Sequence, residues 1–463
     1  MGGDDLPGEG RALAGGAGDQ PGAADDLPGA AGDLPGAADD LPGAAGDLPG
    51  AAGDLPGAAG DQPGGVGDLL GPVRVGAVAH GGHCVARHEG RVVFVRHTLP
   101  GELVTVRVTD TGHDRFWRGD AVEVHEAAPE RTEAPCPVSG PGRCGGCDFQ
   151  HVSLDGQRAL KTAVVAEQLQ RLAGLSWDGA VEAAPGDVGG LGWRTRMRYH
   201  ADDDGVLALR RHRDHALQPV PAQGCPISDP RGRPERTGWT RGAVVETAVD
   251  SAGTRTTLVD GDRVEGPALL HQEVDGSSLA VAADGFWQVH PGAAATLVEA
   301  VLEGLEPQPG ERAFDLYCGV GLFAVALARR GLQVWGVESS RSAVAHARRN
   351  LEAVGAEGSR ATAGRVAQVL RRMPGRTDLV VLDPPRTGAG PEVVRAVLAR
   401  RPRRIAYVAC DPAALARDLR TAVDGGYELV SLRGFDLFPM THHVECVAVL
   451  ERTGSDARSS GSR

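Results

Sequence analysis

The C-terminal third of the chain alternates short apolar segments with longer amphipathic ones. Strands are expected at 312–316, 333–337, 379–382, 405–409, 428–433 and 445–450, with helices between them, as at 322–330 and 342–354. This alternation is typical of a doubly wound sheet with parallel strands. We therefore expect an α/β Rossmann-like domain over residues 286–453, with a ligand crevice at the carboxyl ends of its strands.

The N-terminal segment, residues 1–67, has a different composition. A seven-residue unit of Gly, Asp, Leu, Pro and Ala recurs there, as at 32–38. Such a sequence buries too little apolar surface to offset its ordering entropy, so we predict a disordered acidic tail, with a second disordered tail at 454–463. Residues 1–67 hold twelve acids and one arginine, or −11 of the total charge of −13, which leaves −2 for the rest. A nucleic-acid partner is therefore not excluded.

Residues 68–128 read as a small OB-like β-barrel. Four segments alternate apolar and polar residues, at 73–78, 91–95, 102–108 and 119–124, with Gly and Pro between them. Short strands at this spacing are typical of a barrel. Residues 81–87 and 98–102 resemble a TRAM domain, a small barrel that binds RNA. A barrel with a purely structural role is the alternative.

Four of the eight cysteines form a pattern that suggests a metal centre. Seven residues separate Cys136 from Cys144, two separate Cys144 from Cys147, and Cys225 is distant. Four thiolates are a soft ligand set that suits zinc or an iron–sulfur cluster. Spacing alone does not separate the two, although three close cysteines with one remote suit a cluster. The glycines between Cys144 and Cys147 would let the backbone wrap closely around a bulky centre.

These cysteines lie in a predicted central iron–sulfur and RNA-binding domain, residues 129–285. A helix at 155–172 is expected to pack on the catalytic domain, and the remainder is β-rich. Arg194, Arg196 and Arg198 alternate along a strand among aromatic residues. This basic stripe suits phosphate and base contacts, or it is a solvated strand face.

A glycine loop follows the first strand of the C-terminal domain. It contains Tyr317, Gly319 and Gly321, and Glu338 ends the next strand, 17 residues further on. Glycines allow a ligand to approach the backbone, and a carboxylate at that position accepts ribose hydroxyls. The loop lacks G-x-G-x-x-G, which favours S-adenosylmethionine over a dinucleotide. Asp383 ends the following strand before two prolines and is expected to face the same crevice.

Cys410 ends the strand at 405–409, and a helix begins directly after it. The partial positive charge of a helix N-terminus favours a thiolate, so Cys410 is a candidate nucleophile. A small buried core residue is the alternative. Glu445 supplies a carboxylate near the last strand.

Together these motifs resemble the RNA (uracil-5-)-methyltransferase family, in its iron–sulfur, TRAM-bearing branch, over about residues 69–452. The resemblance implies that Cys410 is the nucleophile and Glu445 the proton acceptor. It implies donor-binding roles for Gln288, Tyr317, Glu338 and Asp383, together with the glycine loop, and [4Fe-4S] ligation by Cys136, Cys144, Cys147 and Cys225. Leu322 and Asp411 stand where the family often has asparagine, and the gap between Cys136 and Cys144 is longer than expected for the ribosomal enzymes.

The implied function is S-adenosylmethionine-dependent methylation of uracil C5 in RNA, first 23S rRNA and second tRNA. A non-catalytic RNA-binding protein is an alternative from another class. A radical enzyme is a further alternative, but such enzymes leave one iron open, whereas Cys225 offers a fourth ligand. The N-terminus has no basic-then-apolar leader and no segment has membrane length, so we expect a cytoplasmic monomer with no membrane partner.

Overall fold

A computed structural model describes residues 65–113 and 115–453; the tails predicted at 1–67 and 454–463 lie outside these residues, apart from 65–67. The described strands are β1 Leu69–Ala79, β2 His83–His88, β3 Arg91–Arg96, β4 Leu103–His113, β5 Phe116–Glu126, β6 Val181–Ala183, β7 Arg196–Ala201, β8 Leu207–Arg210, β9 Leu217–Pro219, β10 Val244–Val249, β11 Arg255–Val259, β12 Asp262–Glu265, β13 Leu269–Val274, β14 Ser277–Ala282, β15 Arg312–Leu316, β16 Gln333–Glu338, β17 Arg360–Ala363, β18 Leu379–Leu382, β19 Arg404–Ala409, β20 Tyr427–Asp436 and β21 Glu445–Arg452. The α-helices are α1 Leu154–Gln168, α2 Ala293–Leu305, α3 Leu322–Ala328, α4 Arg341–Ala353, α5 Val366–Leu370, α6 Gly390–Leu398 and α7 Pro412–Asp424.

The first five strands close into a barrel in the order β1-β2-β3-β5-β4, as predicted. Alternate residues point inward, so Val95, Val104 and Val106 are fully buried. Glu102 is buried where the barrel meets the following segment. It accepts hydrogen bonds from Arg131 Nε at 2.6 Å and from the Leu99 backbone N–H at 2.8 Å. Because both partners satisfy this buried carboxylate, it links the barrel to the central region.

The central region contains a six-stranded sheet in the order β12-β11-β10-β7-β8-β9 and the hairpin β13-β14. Helix α1 packs against α7 and β20 of the C-terminal domain, as expected for the helix predicted at 155–172. Its Lys161 Nζ lies 2.5 Å from Asp436 Oδ1, and both side chains are almost fully buried. The short strand β6 pairs with β20. The start of the central region is therefore built into the C-terminal sheet.

The C-terminal sheet has eight strands in the order β17-β16-β15-β18-β19-β21-β20-β6. Strands β15 to β19 are parallel, and their buried residues are nearly all apolar. The expectation of a parallel sheet is wrong for β21, which runs antiparallel to both β19 and β20. A parallel connection needs a dozen or more residues, and only residues 437–444 join β20 to β21.

No helix in the described part of the chain is long and apolar enough to cross a membrane.

Helices cover both faces of the C-terminal sheet. On one face α2 and α3 contribute Leu297 and Phe323 to the core, and on the other α6 and α7 contribute Val397 and Leu415. This double cover buries β15, β18 and β19 on both sides and leaves their carboxyl ends open to a crevice.

Candidate active site

A cavity of about 2900 Å³ lies along the carboxyl ends of the parallel strands and extends to the central region. Its walls include most residues that the sequence singled out, namely Gln288, Tyr317, Gly319, Glu338, Asp383, Cys410, Glu445, Cys136, Cys144, Cys147 and Cys225. Gly321 is not among them. The fold therefore brings eleven residues from the central region and the C-terminal domain to one crevice.

The glycine loop joins β15 to α3. Tyr317 adopts a left-handed backbone conformation with φ of +66°, which is rare for a bulky residue and characteristic of functional sites. The Gly319 N–H donates to Glu338 Oε2 at 3.3 Å, and a Cβ on Gly319 would meet no atom within 4 Å. Gly321 has φ of +92°, and a Cβ there would lie 3.4 Å from Ala347. Gly319 thus faces the crevice, while Gly321 serves the start of α3.

Three acids lie at the ends of neighbouring strands. Glu338 Oε1 accepts from the Ser340 N–H and from Ser339 Oγ, both at 2.8 Å. Burial, with Glu338 nearby, raises the pKa of Asp383 to about 7. Burial likewise raises the pKa of Asp315 to about 8. This end of the crevice favours a cation, which would relieve the mutual repulsion of the acids.

Cys410 and Glu445 meet because β19 and β21 run in opposite directions. Cys410 follows the last residue of β19, Glu445 is the first residue of β21, and Ala409 pairs with Cys446. Glu445 is buried. Burial raises the pKa of Glu445, and Asp383 raises it further. A thiol and a carboxyl group are thus brought together at the edge of the crevice.

The expectation that the helix N-terminus lowers the pKa of Cys410 is wrong. Burial raises the pKa of this thiol, and Glu445 adds to the increase, whereas Arg386 opposes it. The first turn of α7 is occupied instead by Asp411, whose Oδ1 accepts from the Ala414 N–H at 2.7 Å. Because the Asp411 carboxylate takes this position, Cys410 does not cap the helix.

The loop after β18 carries Arg386 to the thiol, and a residue that the sequence analysis missed holds this loop. Asp418 Oδ2 accepts from the Ala389 N–H at 2.8 Å, from the Gly390 N–H at 3.2 Å and from Tyr407 Oη at 2.5 Å. Asp418 lies on the buried face of α7. An acid among the apolar residues of an amphipathic helix was the sequence feature that could have identified it.

The barrel reaches the same edge from the other side. In the turn between β1 and β2, His80 Nε2 lies 3.0 Å from Asp411 Oδ2, and a Cβ on Gly82 would lie only 2.6 Å from His442 Cβ. A second cavity of about 330 Å³ is lined by His80, Gly82, Arg386, Cys410, His442 and His443, among others. Cys410 therefore borders two cavities.

The four predicted metal-ligand cysteines line the far end of the crevice as free thiols. Two of the sulfurs have a hydrogen-bond donor. The Gly146 N–H lies 3.5 Å from Cys144 Sγ, and Gln150 Nε2 lies 3.3 Å from Cys147 Sγ. The Val138 and Ile227 N–H groups oppose the rise in the pKa of Cys136 and Cys225. Such donors stabilise thiolates and are typical of metal-bound sulfurs.

Burial raises the pKa of all four thiols, that of Cys144 to about 11. Neighbouring thiols raise the pKa of Cys144 and Cys147 further. In residues 65–113 and 115–453, no group of three or more His, Cys, Asp or Glu side chains could hold one metal ion. Gly145 packs closely against another backbone segment of the protein, since a Cβ there would lie 2.8 Å from His212 Cα.

The arginine stripe has a structural part. Arg196 is half-buried, and its Nη1 donates to the carbonyl oxygens of Ala283 at 2.9 Å and Gly285 at 2.6 Å. It thus braces the segment that leads to Gln288. Arg194 and Arg198 also line the crevice. All three arginines thus form part of the crevice wall.

Comparison with known proteins matches family models to the barrel and to the C-terminal domain. Residues 72–122 match the family model described as the TRAM domain, 293–406 match the methyltransferase small domain, and 369–453 match tRNA (uracil-5-)-methyltransferase. An uncharacterized RNA methyltransferase of Streptomyces avermitilis is 49% identical, covering 82% of this chain and 97% of the relative. One from Bifidobacterium longum is 40% identical, covering 82% and 96%.

A solved structure shows the same fold. The tRNA (uracil-54, C5)-methyltransferase of Pyrococcus abyssi, in complex with S-adenosyl-L-homocysteine, aligns with a TM-score of 0.62 at 24% identity. The alignment covers 81% of this chain and 99% of that one. The curated relatives and the family models establish that the chain is an RNA methyltransferase and belongs to the RNA (uracil-5-)-methyltransferase family.

Proposed function

We propose that this enzyme methylates C5 of a uracil in RNA through a covalent adduct between Cys410 and C6. The observation that carries the proposal is the meeting of Cys410 and Glu445 at the edge of the crevice, beside the acids that end β16 and β18. Uracil C5 is a poor nucleophile, so its methylation needs a thiol to activate the ring and a base to remove a proton. The crevice offers both groups.

S-adenosylmethionine is the methyl donor, in line with the methyltransferase family and with the S-adenosyl-L-homocysteine in the Pyrococcus structure. We assign its site to the glycine loop and the acidic strand ends. Glu338 would accept the ribose hydroxyls, Gly319 would allow the donor to approach the backbone, and Tyr317 and Gln288 line the same wall. Asp383 lies where the positive sulfonium would be stabilised, and the donor charge would lower the pKa of the neighbouring acids.

The reaction would begin with the Cys410 sulfur. The thiol gives its proton to solvent water in the open crevice, the resulting thiolate adds to C6, the C5–C6 double bond breaks, and its electrons move to O4 as an enolate. Arg386, which opposes the rise in the pKa of Cys410, favours the thiolate. C5 then takes the methyl group and breaks the bond between that group and the donor sulfur, releasing S-adenosylhomocysteine.

The adduct now carries one proton too many at C5, and Glu445 would remove it. Its ionised carboxylate takes the C5 proton, the C–H electrons restore the C5–C6 double bond, and the Cys410 thiolate is expelled. Burial raises the pKa of Glu445, which makes its carboxylate a stronger base. The target base has to leave its stack to reach the buried thiol.

We further propose that Cys136, Cys144, Cys147 and Cys225 hold a [4Fe-4S] cluster. The donor set fits, because four free thiols line the same crevice and N–H groups lie against the sulfurs of Cys144 and Cys147. When bound, the cluster would act as a structural brace without a redox step. Iron and acid-labile sulfide analysis of anaerobically purified protein, with electron paramagnetic resonance after reduction, tests this assignment against zinc.

The proposed substrate is 23S rRNA, because the resemblance is to the iron–sulfur, TRAM-bearing branch. Transfer RNA is the second candidate, favoured by the family model that matches residues 369–453 and by the Pyrococcus relative. Mass mapping of 5-methyluridine in rRNA and tRNA, from cells with and without the gene, separates them. Loss of one modified site names the substrate, whereas unchanged 5-methyluridine in both RNAs would contradict methylation of either.

A further inference from the structure

We propose that Asp148 is a positioning residue that fixes the loop before Glu445, and so couples the cysteine region to methyl transfer. This inference rests on the proposed function. We call residues 437–444 the Glu445 loop; they connect β20 to β21 and end at the proposed base. Asp148 comes directly after Cys147, and nothing in the reaction scheme uses it.

Asp148 binds the Glu445 loop through both its side chain and its backbone. Its Oδ2 accepts from the His442 N–H at 3.1 Å and from His442 Nδ1 at 2.6 Å. Its backbone N–H and that of Phe149 donate to the Met440 carbonyl oxygen at 2.9 and 3.0 Å. Six atoms of two short segments, distant in sequence, are thus joined by four hydrogen bonds.

The loop needs this external support because its backbone is strained. Met440 has φ of +67°, a left-handed conformation that is strained for a long side chain. The Met440 N–H donates to Gln157 Oε1 at 2.7 Å, and Gln157 lies on α1 of the central region. The hydrogen-bond partners of the Met440 carbonyl oxygen and of its N–H therefore all lie in residues 148–157.

A chain of contacts continues from His442 to the thiol. The rings of His442 and His443 have centroids 4.1 Å apart, and His443 Nε2 lies 3.3 Å from Arg386 Nη2. Arg386 and His443 line both cavities that border Cys410. A shift of the loop would move His443 and, through it, Arg386, besides the start of β21. Small displacements of this kind are costly to a reaction that depends on alignment.

The other oxygen of Asp148 ties in the barrel. Asp148 Oδ1 accepts from Arg96 Nη2 at 3.0 Å, and both side chains are nearly buried. Asp148 therefore joins three regions, namely the barrel, the cysteine segment and the Glu445 loop. Through Asp148, the conformation of the cysteine segment therefore helps to set the position of the proposed base, Glu445.

The test compares Asp148→Asn and His442→Ala, alone and combined. Each single variant should lower kcat by about tenfold to a hundredfold, the effect of losing one charge-assisted hydrogen bond, with the KM for the methyl donor changed less than about twofold. The double variant should be no worse than the single ones, because both remove the same link. Glu102→Gln is the matched control. It alters an equally buried, arginine-paired carboxylate that does not contact the loop, and it should lower stability while preserving kcat.

Hydrogen exchange gives a readout that does not depend on activity. The His442 amide, and others in residues 437–444, should exchange at least about tenfold faster in Asp148→Asn than in the wild type. Additive losses in the double variant or unchanged exchange in Asp148→Asn would overturn the inference. If Asp148→Asn fails to fold, wild-type kcat in His442→Ala would overturn it alone. Wild-type protein that methylates no uracil would instead overturn the proposed function, and the exchange measurement would still decide the role of Asp148.

Discussion

The crevice has two ends, and both carry thiols, in opposite surroundings. At the methyl-transfer end, no hydrogen-bond donor is placed on Cys410 among the described residues, and its close neighbours include the acid Glu445. At the cysteine end, N–H donors lie against the sulfurs of Cys144 and Cys147, and Arg194 lies beside Cys225 and Cys147. Donors that stabilise thiolates permanently suit metal ligands. A thiol without them suits a reaction in which the sulfur must both add and leave.

Replacing Cys410 by alanine should give the largest effect. Methyl transfer should fall by more than about a thousandfold, because the enolate would no longer form. The wild type should become covalently attached to RNA containing 5-fluorouridine in the presence of the methyl donor, and the variant should not. Denaturing gel electrophoresis with labelled RNA measures the adduct. Full activity in Cys410→Ala would show that Cys410 is not the nucleophile, and the proposed functional difference between the thiols at the two ends would then be wrong.

Replacing Glu445 by glutamine should lower turnover by about a hundredfold to ten-thousandfold, since the C5 proton would have no base. Methyl transfer to C5 should still occur once. The variant should therefore accumulate a methylated covalent complex with ordinary uridine RNA, which mass spectrometry of the digested adduct identifies. Turnover as fast as in the wild type, without an adduct, would show that another group accepts the proton.

Changing a thiol at the cysteine end should have a smaller effect on methyl transfer. Cys225→Ser should lose most iron and acid-labile sulfide, and kcat should fall by about tenfold or less in protein that remains folded, because no step uses the cluster. Cys84→Ala, in the buried core of the barrel, is the matched control and should keep its iron. Equal iron content in both variants would remove Cys225 from the ligand set.

The smallest effect should come from Asp315, which lies below the acidic strand ends. Its pKa is raised to about 8, so the folded state binds a proton that the unfolded state releases between pH 4 and 8, and stability falls as pH rises through this window. Asp315→Asn should remove part of this fall and raise the Tm at pH 8 by about 2–4 °C, with little change at pH 4. Thermal unfolding at both pH values measures the difference. An equal shift at both would point to packing instead.

Much of the fold could be predicted from local patterns. The alternation in residues 73–124 gave the barrel strands, and the apolar segments from 312 to 450 gave most of the C-terminal sheet. Strand β17 was missed because its four residues carry only one buried side chain. In the sequence, Gly321 looked equivalent to Gly319. The packing of α3 against α4 shows that Gly321 does not face the crevice.

The direction of the pKa shift of Cys410 could not be predicted from the local sequence. A helix start after Cys410 suggested a lowered pKa, but burial and Glu445, which lies 35 positions away in the chain, raise it. The links made by Asp148 and Asp418 were invisible for the same reason. Their partners lie on other segments, and a single aspartate in a sequence does not show which backbone groups it will bind.

The sequence by itself determined which chemical groups the chain carries and which of its segments become strands and helices. These follow from side-chain chemistry and from the periodicity of burial, both of which are local. The tertiary structure alone decided which groups meet. Because the loop between β20 and β21 is too short for a parallel crossover, β21 runs backwards along β19, and its first residue, Glu445, comes to lie beside Cys410. In a parallel arrangement, the acid would lie at the opposite edge of the sheet from the thiol.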